Sequence, residues 1–161
     1  MNYLKLSFFT IIFSLAGFAQ ESNIVLKSQI DEIETYIKGI DLNSYKYVEE
    51  YDRKPIKNIQ LEERSWEAYY LKEKENQPLR IIYNEFSPKT IIGIKIYYQN
   101  EKKIFAEYFE KSKKSKKTIV KIKFYFDNSG LIYKTNSKIS KFDLEELLND
   151  EKVIRSGFQK K

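Results

Sequence analysis

A strand-like phrase recurs three times at a fixed spacing, and this repeat constrains the fold more than any other feature of the sequence. The copies begin at Trp66, Ile94 and Ile122, and each start lies 28 residues after the one before. Each copy alternates its side chains as a strand with one buried face does. A polar turn and a second strand-like run follow each copy. The repeat therefore predicts three related hairpins, or about six antiparallel strands, between residues 64 and 135.

The third copy ends in Asp127-Asn-Ser-Gly130, a segment that predicts a hairpin turn. These residue types tolerate a positive φ and form hydrogen bonds with their own backbone. A calcium loop would need several more oxygen ligands in an alternating Asp/Asn pattern, and the sequence lacks them.

The alternation assigns the side chains of the predicted strands to two faces. The apolar face carries Ile92, Ile94, Ile96, Tyr98, Val120, Ile122, Phe124 and Phe126. The opposite face carries tyrosines at equivalent positions of the three copies, together with lysines: Tyr69, Tyr97, Tyr125, Lys95 and Lys123.

Helices are predicted on both sides of the strands. Leu26, Ile30, Ile33 and Ile37 form one apolar stripe at the helical period within Ser22–Lys38, and Gly39 follows as a natural stop. A second helix is predicted after residue 143. We expect an α+β protein in which the N-terminal helix covers the apolar face of the sheet.

Residues 1–19 have the pattern of a signal peptide. Lys5 precedes an apolar run, and the small residues Gly17 and Ala19 lie three and one positions before a cleavage site that would leave Gln20 first. The run is short for a bilayer span of about 20 residues. Because no cysteine follows it, a lipid-anchored lipoprotein is excluded. We expect a periplasmic or secreted protein, a single domain over residues 20–161, and no transmembrane segment in the mature chain.

The formal net charge is +6, which makes an anionic partner conceivable. AT-rich coding, which favours Lys, Ile, Asn and Tyr, is the alternative explanation. The densest basic segment is Lys111–Lys117, and like charges at this density predict an exposed loop. The sequence leaves open whether this loop is only solvated or docks to an acidic surface.

The chain contains no histidine and no cysteine, so thiol nucleophiles, Ser-His-Asp triads and the common zinc sites are excluded. Its glycines do not form a phosphate-binding loop. Carboxylate chemistry remains, and it would require two acids facing each other across a cleft. We expect no enzyme activity, no cofactor and no metal site.

We therefore expect an exported, non-catalytic binding or interaction protein. Tyr69, Tyr97, Tyr125, Lys95 and Lys123 form its candidate interaction surface, and its partner is a protein, a glycan or a lipid. A periplasmic carrier of a lipid or another apolar ligand is one alternative, and a carboxylate-dependent glycan hydrolase is another. Nucleic acid is disfavoured because the phenylalanines belong to the apolar face.

Two hairpin phrases resemble those of a known group of proteins. Phe124-Tyr-Phe-Asp-Asn-Ser-Gly-Leu-Ile132 and Ile96-Tyr-Tyr-Gln-Asn-Glu-Lys-Lys-Ile104 are similar to the YYF-x-N-G-x-L-I hairpins of small secreted bacterial proteins, including YwqK-type and MORN-like repeat proteins. Ser129 is inserted relative to that pattern, and the middle copy has no glycine. The resemblance implies a β-meander and an exported protein, and it implies no activity.

Overall fold

The computed structural model describes residues 3–56, 64–73, 77–135 and 144–159. These residues form helix α1 (Tyr3–Leu42), a short 3-10 helix (Ser44–Lys46), seven strands and helix α2 (Leu144–Gln159). The strands are β1 (Val48–Ile56), β2 (Arg64–Lys72), β3 (Pro78–Phe86), β4 (Thr90–Gln99), β5 (Lys102–Ser112), β6 (Thr118–Asp127) and β7 (Gly130–Lys134).

The seven strands form one antiparallel sheet in sequential order from β1 to β7, so each strand pairs with its neighbours in the sequence. The predicted α+β class and the meander are confirmed. The three copies of the repeated phrase lie on the alternate strands β2, β4 and β6. The chain divides into two compact units, Met1–Tyr36 and Ile37–Lys161, and the second contains the sheet, α2 and the end of α1.

The sequence predicts about six strands and the structure has seven, because residues 40–60, with an apolar patch ended by Pro55, indicate a connector with only a possible short strand or helical turn. In the structure Pro55 lies opposite Ser65 of β2. Since β1 is the first strand of the sheet, it pairs with β2 alone. Proline is tolerated on such an edge strand because its missing N–H can face away from the neighbouring strand.

Helix α1 continues beyond Gly39, so the predicted end of this helix was wrong. Ile40 extends the apolar stripe beyond Ile37, and both side chains are buried, which favours helix on both sides of the glycine. The helix ends at Leu42, and the next residue, Asn43, donates from its backbone N–H and its side-chain Nδ2 to the Gly39 carbonyl oxygen, at 3.1 and 2.9 Å.

The apolar face of the sheet forms the core as predicted, but the helix packed against it is α2. Leu147 and Phe158 of α2 are buried in the same cluster as the inward side chains of the strands, and Ile154 packs against that cluster. The Phe158 ring stacks on Tyr70 with centroids 5.2 Å apart. The expectation that the N-terminal helix makes this contact is therefore corrected in favour of the C-terminal helix.

Two short turns show how the hairpins close. Asn100 and Glu101 connect β4 to β5 with φ values of 50° and 64°, a two-residue turn without glycine. Between β6 and β7, the hydroxyl and the backbone N–H of Ser129 both donate to Asp127 Oδ1, at 2.6 and 2.7 Å, and Gly130 has a φ of 127°. These hydrogen bonds lower the pKa of the Asp127 carboxyl, and they confirm the predicted hairpin.

Candidate interaction surface

The structure places the five predicted surface residues on the sheet face opposite the α2 core, which is called the polar face below. Residues that lie directly opposite each other on antiparallel strands project to the same side. Lys95 lies opposite Glu107, which lies opposite Lys123, and Tyr97 is joined through Phe105 to Tyr125 in the same way. Tyr69 is connected through Ile82 to Lys95.

These residues fall in two parallel rows across the polar face. The first, named the Tyr-Lys row, consists of Tyr51, Tyr69, Ile82, Lys95, Glu107 and Lys123. The second, named the aromatic row, consists of Leu71, Arg80, Tyr97, Phe105, Tyr125 and Tyr133. Tyr69 is therefore two residues out of line with Tyr97 and Tyr125, although the repeat aligns all three.

Tyr97 is a buried anchor for the end of α1 and is only 3% exposed. Its hydroxyl is 3.0 and 2.9 Å from the two carboxylate oxygens of Asp41, to which it donates. Arg80 donates to Asp41 at 2.5 Å and to Glu49 at 3.0 Å. Burial and the Asp41 carboxylate raise the pKa of Tyr97 well above its ordinary value, so this tyrosine stays a neutral donor.

Tyr125 is also 3% exposed and belongs to a ladder of packed rings. The Phe105 ring lies between Tyr97 and Tyr125, with centroid distances of 5.8 and 5.1 Å, and both contacts are edge-on. Tyr133 on β7 continues the ladder at 5.8 Å from Tyr125. The expectation that Tyr97 and Tyr125 are available on the polar face therefore fails, because aromatic packing and the Asp41 hydrogen bonds bury them.

The Tyr-Lys row contains the accessible members of the predicted set. Tyr69 is half-buried and tilts against the more exposed Tyr51, with ring centroids 4.9 Å apart. Lys95 and Lys123 are half-buried, and the Lys123 ammonium lies 5.8 Å from the centre of the Phe105 ring. Glu107 separates the two lysines and pairs with Lys121 at 2.9 Å. This row presents two phenol rings and, on the far side of Ile82, two ammonium groups with Glu107 between them.

The Asp41, Arg80 and Tyr97 cluster was not anticipated from the sequence. Alternation alone assigns Arg80 to the same face as Ile82, since the two are two residues apart on one strand. Asp41 and Tyr97 are 56 residues apart, and no local pattern connects them.

A second close contact on the polar face joins Gly93 of β4 to Phe109 of β5, which lies directly opposite. A Cβ atom built on Gly93 would come within 2.1 Å of the Phe109 ring. The ring therefore occupies the space above the glycine. A lone glycine within a strand is a signal for such a close approach.

Within the described residues, no group of three or more acidic side chains is arranged to bind a metal ion. None of the helices in the described part of the chain combines the length and the apolarity that a bilayer crossing requires. Comparison of the chain with protein-family models, with curated proteins and with solved structures finds no match.

Proposed function

We propose that this protein is an exported, non-catalytic binding protein that contacts its partner through the Tyr-Lys row of the polar face. The observation that carries the proposal is the row itself, in which Tyr69, Lys95 and Lys123 share one cross-strand line and remain partly accessible. Tyrosine supplies contact area and a hydroxyl at a low cost in side-chain entropy. Ammonium groups in the same row favour a partner that combines an apolar contact with acidic groups.

The sheet keeps this row in place. Each member belongs to a strand paired on both sides, except Tyr51 on the edge strand β1. The aromatic row beside it, in which Tyr97, Phe105 and Tyr125 are buried, joins β4, β5 and β6, and the exposed Tyr133 extends the ring contacts to β7. A preformed row loses little conformational entropy on binding, which supports recognition by a rigid surface.

Export is the part of the proposal that depends on the N-terminal sequence. Lys5, the apolar run and the small residues Gly17 and Ala19 support cleavage after Ala19. N-terminal sequencing of protein recovered from the envelope and from the medium of its host tests this point. A chain that begins at Gln20 supports export, and a chain that keeps residues 1–19 contradicts it.

Native mass spectrometry of the tagged protein, recovered gently from its own host, tests the binding surface. The double variant Tyr69→Ala, Lys95→Ala should lose a stoichiometric partner that the unchanged chain retains. The matched control Tyr45→Ala, Lys46→Ala removes the same two residue types from the 3-10 helix, where Tyr45 is 79% exposed and Lys46 lies 5.5 Å from its ring centre. Retention of the partner by the first variant, or equal loss from both, would contradict the proposal.

A further inference from the structure

A cluster of positive charge lies away from the Tyr-Lys row, at one end of the sheet. In a meander, the turn from β3 to β4 and the turn from β5 to β6 are at the same end. The structure joins these turns directly, because the Lys113 N–H donates to the Lys89 carbonyl oxygen at 2.9 Å. Six lysines thereby come together in what is named the lysine end: Lys89, Lys111, Lys113, Lys114, Lys116 and Lys117.

The turn that carries most of these lysines has a defined backbone. The Ser112 N–H donates to the Lys117 carbonyl oxygen at 3.0 Å, and the Lys116 N–H donates to the Ser112 carbonyl oxygen at 2.9 Å. Lys116 has a φ of 58°, in the left-handed region that tight turns use. These lysines are thus presented by a hydrogen-bonded turn at the end of the sheet.

The positive charge of the lysine end is not neutralised within the described part of the chain. None of its six ammonium groups lies within 4.0 Å of a carboxylate of a described residue. Lys89, Lys114, Lys116 and Lys117 are exposed. The mutual repulsion of these charges is relieved when they meet a negatively charged surface.

The surroundings of the lysines indicate which kind of anion they fit. The Lys111 ammonium lies 4.5 Å from the centre of the Phe109 ring, and the Lys113 ammonium lies 5.8 Å from that of Phe86. The ammonium groups therefore cover ring faces on which the bases of a nucleic acid would otherwise stack. The cluster contains lysine and no arginine. Each lysine ammonium acts as a point charge that is attracted to a negatively charged surface, and it lacks the planar guanidinium that forms paired hydrogen bonds with a single phosphate or carboxylate.

We propose that the lysine end docks on the surface of a membrane that contains anionic phospholipids. Clusters of four to eight basic residues are typical of proteins that bind such surfaces electrostatically. The two adjacent turns present their lysines at one end of the sheet, so several headgroups can be contacted at once. This contact is independent of whatever partner the Tyr-Lys row binds.

Cosedimentation of the full chain with vesicles tests this proposal. The probes are vesicles of phosphatidylcholine alone and vesicles of phosphatidylcholine mixed with phosphatidylglycerol. Binding should require the anionic lipid and should weaken steeply with added salt. The triple variant Lys89→Gln, Lys114→Gln, Lys117→Gln should lower the partition coefficient on the mixed vesicles by a factor on the order of 100, since each lysine near an anionic leaflet contributes about fivefold.

A second triple variant provides the matched control. Lys27→Gln, Lys38→Gln, Lys152→Gln removes three exposed lysines elsewhere, and each triple takes the formal net charge from +6 to +3. The control should bind the mixed vesicles within a few-fold of the unchanged chain. Equal losses in the two triples, or equal binding to both kinds of vesicle, would overturn the proposal. So would binding to a single-stranded oligonucleotide that depends on the lysine end when vesicle binding does not.

Discussion

At the scale of single residues, Gly93 and Phe109 show how closely the polar face is packed. Phe109 is buried, and its ring occupies the position that a Cβ atom on residue 93 would need. Gly93→Ala should therefore destabilise the protein by about 1–3 kcal/mol, because the ring or the β4 backbone must move. Urea unfolding followed by circular dichroism measures this change in the free energy of unfolding.

The control for this substitution is Gly39→Ala in α1. A Cβ on Gly39 meets nothing within 4 Å, and alanine is favoured over glycine in a helix by about 1 kcal/mol. The two substitutions should therefore shift the unfolding midpoint in opposite directions. The double variant Gly93→Ala, Phe109→Leu should recover part of the loss. If Gly93→Ala unfolds at the same urea concentration as the unchanged chain, the contact does not limit the packing of this face.

Residue-level prediction from the sequence succeeded for the direction of side chains and failed for their exposure. Alternation placed Tyr97 and Tyr125 on the polar face correctly. Their burial depends on Asp41 and on the Phe105 and Tyr133 rings, which come from other elements. The two-residue offset of Tyr69 depends on the register between β2, β3 and β4. Neither property is encoded in the periodicity of one strand.

At the scale of elements, α2 is held on the core by a small polar cluster as well as by its apolar side chains. Glu151 accepts a hydrogen bond from the Tyr98 hydroxyl at 2.7 Å and pairs with the Lys103 ammonium. Glu151→Ala would leave both donors without this acceptor in a mostly buried site. We expect a loss of about 3 kcal/mol in the free energy of unfolding, as for other broken buried ion pairs.

Urea unfolding and near-ultraviolet circular dichroism together test the role of this cluster. Glu151→Gln keeps an acceptor for Tyr98 but loses the ion pair, so its loss of stability should be intermediate. The control Glu145→Ala removes an exposed acid from the same helix and should change the free energy by less than about 0.5 kcal/mol. If Glu151→Ala is as stable as Glu145→Ala, then apolar packing alone holds α2 in place.

The elements that the sequence predicted well are those with a strong local period. The strands from β2 to β7 alternate clearly, and the stripe in α1 follows the helical repeat. The edge strand β1 was predicted only as a possible short strand within a connector, because its apolar patch is short and Pro55 ends it. The choice of α2 over α1 as the cover of the core depends on contacts between distant segments, such as that of Phe158 with Tyr70. Local patterns contain no information about such contacts.

At the scale of the whole molecule, both faces of the sheet bury tyrosine hydroxyls, and burial favours the neutral form of each hydroxyl. Burial, reinforced by Glu85, raises the pKa of Tyr83 to about 12. Burial, with Asp41 beside Tyr97 and Glu151 beside Tyr98, raises the pKa of each of these two tyrosines further. The folded state therefore retains protons that the unfolded chain releases above about pH 10.

This difference predicts a loss of stability at alkaline pH. The contribution of these tyrosines is fully present below about pH 10 and declines as the pH rises toward the folded-state values, because only the unfolded chain ionises in that range. Urea midpoints measured as a function of pH, together with phenolate absorbance, should show that the buried tyrosines ionise in the same step in which the protein unfolds. Tyr98→Phe should make the alkaline decline less steep, although it lowers stability near neutral pH by removing the bond to Glu151. The control Tyr45→Phe alters a side chain that is 79% exposed and should leave the decline unchanged. If phenolate absorbance rises fully while the protein stays folded, these buried hydroxyls ionise in the native state. The inferred link between tyrosine burial and alkaline stability would then be wrong.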